Sequence, residues 1–172
     1  MDHLVFPADS ISIIKLVIMH NNLNSLKKAI IAYLLEEKEA SYKNMMAMQK
    51  AEVADAEESN EVGDSQSQSG KVGQVLNRVE ARASVVEALQ NDINILSGLG
   101  SVVPTPEIQL GDVIETDKGN FFVAVPADEF EIAGVKYRGI SVESPLYQAL
   151  RGKKNGDKVT VNNNSFTLLN SD

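Results

Sequence analysis

The chain of 172 residues contains no cysteine and no tryptophan, and its hydrophobic residues do not form long runs. The absence of cysteine excludes disulfides, thiolate catalysis and cysteine-based metal sites. The longest apolar stretch falls well short of the roughly 18 residues that suggest a membrane span. Positive charge is also scarce, because 16 Lys and Arg stand against 24 Asp and Glu. The resulting net charge of −8 argues against tight, unassisted binding to nucleic-acid phosphates or to an anionic membrane.

Residues 1–22 form a leader whose status the sequence leaves open. Residues 11–19 are apolar, but Asp2 and Asp9 precede them and no small-residue cleavage site follows, so we do not expect a secretory signal. Met19 opens a more regular pattern. It is either the natural start of the protein or part of a short ordered segment that packs on the body.

Residues 23–100 are predicted to form an antiparallel coiled-coil hairpin, because suitable positions recur at steps of three and four residues. Asn22 or Asn24 can cap the first arm. The repeating positions of the first arm are Leu23, Leu26, Ile30, Tyr33, Glu37, Ala40, Asn44, Ala47 and Ala51. Those of the return arm are Val72, Val75, Val79, Ala83, Val86, Leu89, Ile93 and Leu96. Small polar residues predict the tip near 59–70, and residues 101–106, which include two prolines, are predicted to be a linker.

The approach to the tip is unusually acidic. Residues 51–64 contain no Lys or Arg, and their six carboxylates belong to Glu52, Asp55, Glu57, Glu58, Glu61 and Asp64. Concentrated carboxylates repel one another, and they become useful when a cation or a basic surface meets them. Taken alone, the stretch is better interpreted as the solvated end of a scaffold helix. The basic residues of the arms have the spacing of ordinary surface side chains; they are Lys27, Lys28, Lys38, Lys43, Lys50, Lys71, Arg78 and Arg82.

Residues 107–172 are predicted to form a separate α+β domain. Strand patterns occupy residues 107–117, 121–125, 130–135, 137–142, 158–161 and 165–169. A short amphipathic helix is predicted over residues 145–150, with Pro145 in its first turn and Ser144 as its cap. The expected result is a mainly antiparallel sheet with one short helix across it. Six aromatic residues are interpreted as core rather than as the lining of a pocket: Phe121, Phe122, Phe130, Tyr137, Tyr147 and Phe166.

Residues 140–161, ISVESPLYQALRGKKNGDKVTV, resemble the C-terminal signature of the bacterial Gre transcript cleavage factors. In that family I-S-x-x-S-P, x-x-A-L, G-K and G-D-x-V recur in this order. The matching residues are Ile140, Ser141, Ser144, Pro145, Ala149, Leu150, Gly152, Lys153, Gly156, Asp157 and Val159. Upstream, residues 110–113 (LGDV) lie where the family's domain opens its first strand. The order of a coiled coil followed by a sheet domain is also that of the family.

The resemblance implies a fold and a function. The sheet domain would be similar to FKBP-type prolyl isomerases and would dock at the secondary channel of RNA polymerase, with Glu143, Ser144 and Pro145 in the docking surface. The hairpin would enter the channel, and its acidic tip would help to hold a Mg²⁺ shared with the polymerase active site. The polymerase, not this chain, would then cleave backtracked RNA. The resemblance also implies a cytoplasmic monomer that meets DNA and nascent RNA only through the polymerase.

The tip can be aligned with the family in two registers. Cleavage-active members carry G-D-x-x-E-N-A-E at the tip; Gly63 and Asp64 match its first two positions, but Ser67 occupies the place of the second acid. In that register Glu61 or Glu58 would have to supply the second ligand. The other register interprets residues 55–58 (DAEE) as D-x-x-E, with Asp55 and Glu58 as the pair, and lacks the glycine.

Three functions therefore remain open at the level of sequence. The first is a Gre-like elongation factor that stimulates cleavage, for which two carboxylates must converge at the tip. The second is a Gre-like regulator or inhibitor that enters the same channel without cleavage. The third is a scaffold that does not associate with polymerase.

Overall fold

The computed structural model describes residues 8–60 and 68–171, with side chains described for residues 22–54 and 77–171. The chain divides into two compact units, one made of residues 1–33 and 101–172 and the other of residues 34–100. Within the described ranges, no helix combines the length and the apolar character needed to cross a membrane.

Two long helices dominate the first half of the chain. Helix α1 runs over Ala8–Asn60 and helix α2 over Gln68–Gly98, with a short 3-10 helix over Leu99–Ser101. Helix α1 begins well before the predicted start at Leu23, so the prediction that Asn22 or Asn24 caps it is wrong. Neither proline nor glycine occurs between residues 8 and 60, so nothing in the chain interrupts the helix there.

Two ion pairs show that α1 and α2 run antiparallel within residues 34–100. Lys38 Nζ lies 2.9 Å from Asp92 Oδ2, and Arg82 Nη1 contacts Glu52 Oε2. The partner of the later α1 residue therefore lies earlier in α2, as in a hairpin. All four side chains are at least half-buried, with exposed fractions between 15% and 26%. The hairpin predicted from the sequence is confirmed.

The first-arm stripe that the sequence predicted is wrong beyond Tyr33. Its members Glu37, Ala40, Asn44, Ala47 and Ala51 are all exposed. The side chains that are buried or half-buried on this part of α1 are instead Leu34, Leu35, Lys38, Ser41, Tyr42, Met45, Gln49 and Glu52. The buried side chains form the neighbouring row of the helix, which begins at Leu34, and the burial of Lys38 and Glu52 in this row is offset by their counterions on α2. The predicted α2 stripe is closer to the structure. Of its members, Val79, Val86, Leu89 and Ile93 are half-buried, Leu96 is buried and Ala83 is exposed, while Val72 and Val75 lie outside the described side chains.

The C-terminal part of the chain forms a mixed sheet. Its strands are β1 (Val113–Thr116), β2 (Gly119–Ala124), β3 (Ala127–Ile132), β4 (Val135–Ser141), β5 (Lys158–Val161) and β6 (Asn164–Ser171), and helix α3 covers Pro145–Leu150. Across the sheet the order is β3-β4-β2-β1-β6-β5. Neighbouring strands are antiparallel except β2 and β4, which pair in parallel. The predicted α+β class and the mainly antiparallel sheet are confirmed, and the parallel pairing of β2 with β4 is a feature that was not predicted.

The parallel pair follows from the sharp return of the chain after β2. The segment that leads from β2 into β3 crosses close to β4 at Gly139. A Cβ atom placed on Gly139 would meet the Val125 carbonyl oxygen and would lie 2.8 Å from the Ala127 nitrogen. A residue without a side chain is therefore required at this position. β3 and β4 form a hairpin through Ala133 and Gly134, and β4 is the strand that pairs with β2.

The hydrophobic core lies between the sheet and α3. Its buried members are Ile108, Ile114, Phe121, Val123, Leu146, Tyr147, Leu150, Val159 and Leu168. Of the six aromatic residues interpreted as core, Phe166 is half-buried and the other five are buried, which confirms that interpretation. Tyr33 of α1, predicted for the coiled-coil stripe, stacks its ring on Phe130 at 5.1 Å instead.

Candidate functional site

The acidic residues predicted to present a metal lie largely outside the described part of the chain. Asp64 and Glu61 belong to residues 61–67, which connect α1 to α2 and are not described. Asp55 and Glu58 lie in the last turns of α1, but their side chains are not described either. Among the side chains that are described, no three His, Asp or Glu come together as a metal site. Their predicted role therefore stays a prediction.

One member of the acidic stretch has a structural role. The Glu52 carboxylate accepts a hydrogen bond from Arg82 Nη1, and this pair fastens the two helices together ahead of the connection at residues 61–67. Because the Arg82 guanidinium already binds it, Glu52 is a poor candidate for a metal ligand. The remaining carboxylates of residues 51–64 are the candidates for metal binding.

The hairpin also contains an open groove of about 500 Å³. Its lining is Tyr42, Gln49, Ala83, Val86, Glu87, Gln90, Asn91 and Asn94. These side chains are mostly amides and small groups, with a single carboxylate. Such a lining offers mainly hydrogen bonds to water, and it does not bring two acidic or basic groups together. We interpret the groove as a solvated gap in the seam.

The predicted docking residues lie at the start of α3, where the backbone is held firmly. Ser144 caps the helix, since its Oγ accepts a hydrogen bond from the Tyr147 N–H at 3.2 Å. The Ser144 N–H in turn donates to the Ser141 carbonyl at 3.0 Å. Pro145 is the first residue of α3, as predicted. Glu143 and Pro145 are exposed, so this rigid turn presents a carboxylate and an apolar ring to solvent.

Helix α3 is itself anchored to the body of the domain. Leu146, Tyr147 and Leu150 are buried, and the Tyr147 hydroxyl donates to the Ile108 carbonyl at 3.2 Å. The Gln148 amide donates to the Val142 carbonyl at 2.6 Å, which holds the turn before the helix. Because the helix is anchored to the core in this way, the exposed turn at its start is held in one conformation.

Some basic residues of the arms are paired rather than free on the surface. Lys27 Nζ donates to Asp112 Oδ1 at 3.2 Å, and Asp112 is only 9% exposed. The other oxygen of Asp112 accepts the Gln109 N–H at 2.8 Å. With Lys38 and Arg82 also paired across the hairpin, the interpretation of the arm cations as ordinary surface residues is wrong for these three. It holds for Lys28, Lys43, Lys50 and Arg78, which are exposed.

A second charged cluster lies on strands β3 and β4. Glu129 lies 2.7 Å from Lys136 Nζ and 3.3 Å from Arg138 Nη2. The hydrogen bond from Lys136 lowers the pKa of the Glu129 carboxyl and raises the pKa of Lys136. Beneath these groups, burial raises the pKa of Tyr137. At neutral pH the Glu129 carboxylate is thus ionised and paired with cations. The cluster therefore links β3 to β4 by ion pairs at the surface.

Sequence reasoning missed one charged feature of this domain. The segment that follows α3, residues 151–158 (RGKKNGDK), carries Arg151, Lys153, Lys154 and Lys158, all of them exposed. The signal was present in the sequence, because this is a concentration of positive charge in a chain whose net charge is −8.

Comparison with known proteins supports the resemblance that was stated from the C-terminal signature. No protein-family model matches the chain. It is 33% identical over 110 residues to the transcription elongation factor GreA of Pseudomonas aeruginosa and 34% identical over 110 residues to that of Thioalkalivibrio sulfidiphilus. Each match covers 64% of this chain and 66% of the relative, slightly less than two thirds of the relative's length.

A solved structure has also been matched to the chain, the crystal structure of Thermus aquaticus Gfh1. It is 19% identical in sequence, with a TM-score of 0.30, and the match covers 86% of this chain and 94% of that one. At this TM-score the likeness supports no inference about geometry, so the assignment depends on the sequence relatives.

The fold defines a class of protein in which a long helical hairpin precedes a small mixed sheet with one short helix. Within that class, the sequence relatives are both GreA factors. The relatives support the resemblance to Gre-type factors that was drawn from the C-terminal signature.

Proposed function

We propose that this chain is a transcription elongation factor that binds RNA polymerase at its secondary channel and rescues backtracked or stalled complexes. The hairpin presents its acidic end to the polymerase active site, and the polymerase carries out the RNA cleavage. The observation that carries the proposal is the sequence similarity to proteins named transcription elongation factor GreA. The chain itself acts as a cofactor protein and not as the nuclease.

The rigid turn before α3 supports a docking role for the sheet domain. Glu143 and Pro145 are exposed on a turn that Ser144 fixes by capping the helix. A surface whose backbone is already ordered loses little conformational freedom on binding. We therefore assign the first contact with polymerase to Glu143, Ser144 and Pro145.

The acidic end of the hairpin has the donor chemistry that a magnesium ion requires. Residues 51–64 contain carboxylates and neither His nor Cys, and oxygen donors of this kind are the ligands that Mg²⁺ prefers. We propose that Asp64, with Glu61, Glu58 or Asp55 as its partner, would hold an ion shared with the polymerase. Such an ion, when bound, lowers the pKa of a coordinated water and orients that water toward a phosphodiester.

The described residues explain how the hairpin can carry these acids. The pairs Lys38–Asp92 and Glu52–Arg82 tie α1 to α2 in the seam. An arm fastened in this way resists splaying when its like-charged end is brought to a target. The role of this chain's own residues is thus to hold the arms together and to deliver carboxylates.

A second candidate function is a channel-binding regulator that does not support cleavage. The observation that favours it is Ser67, which occupies the position of the second acid in the family's tip pattern. A single carboxylate binds Mg²⁺ poorly in water, because the ion gives up its hydration shell reluctantly. If no second acid joins Asp64, the hairpin would occupy the channel without assisting the reaction.

A transcript cleavage assay on backtracked complexes made with purified polymerase separates the two functions. The proposal predicts cleavage faster than the intrinsic rate of the polymerase. Asp64→Ala is expected to lower the stimulated rate by about tenfold or more, as for the loss of a group that orients a metal site. Glu61→Ala and Glu58→Ala, made singly, show which acid is its partner.

Glu37→Ala is the matched control, because Glu37 is an exposed acid of α1 that lies far from the C-terminal end of that helix. It should leave the stimulated rate unchanged. Binding to polymerase without stimulation would show the regulator instead. Failure to bind polymerase at all would refute both functions and favour a scaffold.

A further inference from the structure

The segment that follows α3 concentrates positive charge to a degree found nowhere else in the chain. We call residues 151–158 the basic loop. Its four cations, Arg151, Lys153, Lys154 and Lys158, are four of the 16 Lys and Arg in the whole protein. All four are exposed, and among the described residues none of them forms an ion pair. By contrast, Lys27, Lys38 and Arg82 are each matched with a carboxylate.

The backbone of the basic loop is fixed by hydrogen bonds. Lys153 N–H donates to the Leu150 carbonyl at 2.9 Å, which joins the loop to the end of α3. At the other end, Gly156 N–H donates to the Leu168 carbonyl at 2.7 Å, and Leu168 N–H donates back to the Asp157 carbonyl at 2.9 Å. Gly152 and Gly156 supply the positive φ angles, 72° and 93°, that these turns require.

The only acid of the loop is turned toward the loop's own backbone. Asp157 Oδ2 accepts the Lys154 N–H at 2.9 Å, and Asp157 N–H donates to the Lys154 carbonyl at 2.9 Å. This carboxylate therefore stabilises the turn and binds none of the four cationic side chains. The result is an ordered loop that displays unmatched positive charge, which is a feature suited to recognition of negative charge.

We propose that the basic loop binds a carboxylate-bearing protein surface of RNA polymerase, as a second element of the docking interface. This inference rests on the function proposed above. Helix α3 has six residues, so about 9 Å of helix separates the basic loop from the turn at Glu143, Ser144 and Pro145. One interface can contact both ends of so short a helix. The turn supplies an apolar contact, and the loop supplies charge complementarity.

The composition of the loop favours an acidic protein surface over nucleic acid. Proteins that bind single strands combine positive charge with aromatic side chains on which bases stack, and residues 151–158 contain no aromatic residue. A net charge of −8 also repels a long polyanion. A few carboxylates at contact distance require only a small cationic patch, which is what the loop provides.

The test is the double variant Lys153→Glu with Lys154→Glu, measured by equilibrium binding to core polymerase that is free of nucleic acid. Both side chains are exposed, and the backbone hydrogen bonds of the turn do not depend on them. We expect about tenfold weaker binding at low salt and a shallower dependence of affinity on salt, because rim charges act largely through long-range attraction. Lys153→Gln with Lys154→Gln should give a smaller loss in the same direction.

The matched control is Lys28→Glu with Lys118→Glu, which makes the same charge change at two exposed positions outside the basic loop and outside the acidic end of the hairpin. It should alter the affinity by less than about twofold, because exposed charges outside an interface contribute little energy. Thermal unfolding of each variant verifies that the fold is retained.

The outcomes separate this inference from the function on which it rests. Wild-type binding with an unchanged affinity and salt dependence for the loop variant would overturn the inference and leave the proposed function intact. A loss seen only with elongation complexes that carry DNA and RNA would overturn it in favour of a nucleic-acid contact. Failure of the wild-type protein to bind polymerase would overturn both.

Discussion

Asp117, in the turn between β1 and β2, is the residue whose charge is most clearly tied to the fold. Its Oδ1 accepts the Thr167 N–H at 2.7 Å, and its Oδ2 accepts the Thr167 hydroxyl at 3.2 Å. The bond from the Thr167 backbone is the main cause of a pKa lowered below the ordinary value of 3.8. The ionised carboxylate therefore joins the β1–β2 turn to β6.

Replacement of this carboxylate should change how stability depends on pH. Because the pKa of Asp117 is lower in the folded state, its contribution is present above the unfolded value near 3.8 and is lost as pH falls through the folded value. Asp117→Asn should thus lower the free energy of unfolding at pH 7 and flatten its decline between pH 5 and pH 2. Urea denaturation across this range is the measurement.

The control for this prediction is Asp128→Asn. Asp128 is exposed, and no hydrogen bond or ion pair involves it within the described part of the chain. An equal pH dependence for the Asp117→Asn variant and the wild type would show that the bond to Thr167 does not stabilise the fold.

Single residues also show what the sequence could reveal. Ser144 was predictable as a cap, since a serine directly before a proline at a helix start is a local signal. The partner of Lys27 was not, because Asp112 lies 85 residues away and the spacing of surface lysines says nothing about distant acids. The polar contacts that depend on tertiary structure were the ones that the sequence could not reveal.

At the scale of elements, the hairpin seam is the main departure from what the pattern predicted. Sequence periodicity located both arms, but the stripe that it predicted on α1 contains Ala and Asn residues that are exposed in the structure. The structure instead turns Lys38, Gln49 and Glu52 inward. Hydrophobic periodicity did not select this row although Leu34 and Met45 belong to it, because Lys38 and Glu52 each count against burial until the partner on α2 is known.

The pair Glu52–Arg82 offers a test of that seam. A double-mutant cycle of Glu52→Gln and Arg82→Gln should give a coupling energy of about 1 kcal/mol, near the upper end for partly exposed pairs. Urea denaturation of the four proteins gives this value, and added salt should reduce it. The pair Glu39–Lys43, exposed on one helix at 3.8 Å, is the control and should couple much more weakly. Equal coupling in the two pairs would contradict a stabilising role for the seam.

In the sheet domain, the existence of the elements was easier to predict than their pairing. The hairpin across residues 162–164 and helix α3 follow from turn and cap signals close in sequence. The parallel pairing of β2 with β4 depends on the close crossing at Gly139, which no local pattern displays. The first strand is also shorter than predicted, because residues 109–112 form a turn around Asp112.

At the scale of the whole molecule, the two charged features of the chain belong to different units. The acidic residues 51–64 lie in the unit of residues 34–100, and the basic loop lies in the unit that contains the sheet. The net charge of −8 alone does not show that the acidic and the basic residues are concentrated in different units. Under the proposed function, the acids would meet the active site of the polymerase and the basic loop would meet the docking interface.

The most direct test of the account is a photocrosslinking experiment with the intact protein and stalled elongation complexes. A crosslinker at position 66, between α1 and α2, should label polymerase at its catalytic centre, whereas one at the exposed Leu169 of β6 should not. Omission of polymerase and competition by unlabelled protein are the controls. A protein that binds polymerase but gives no crosslink to the catalytic centre from position 66 would contradict delivery of the acidic end to the active site.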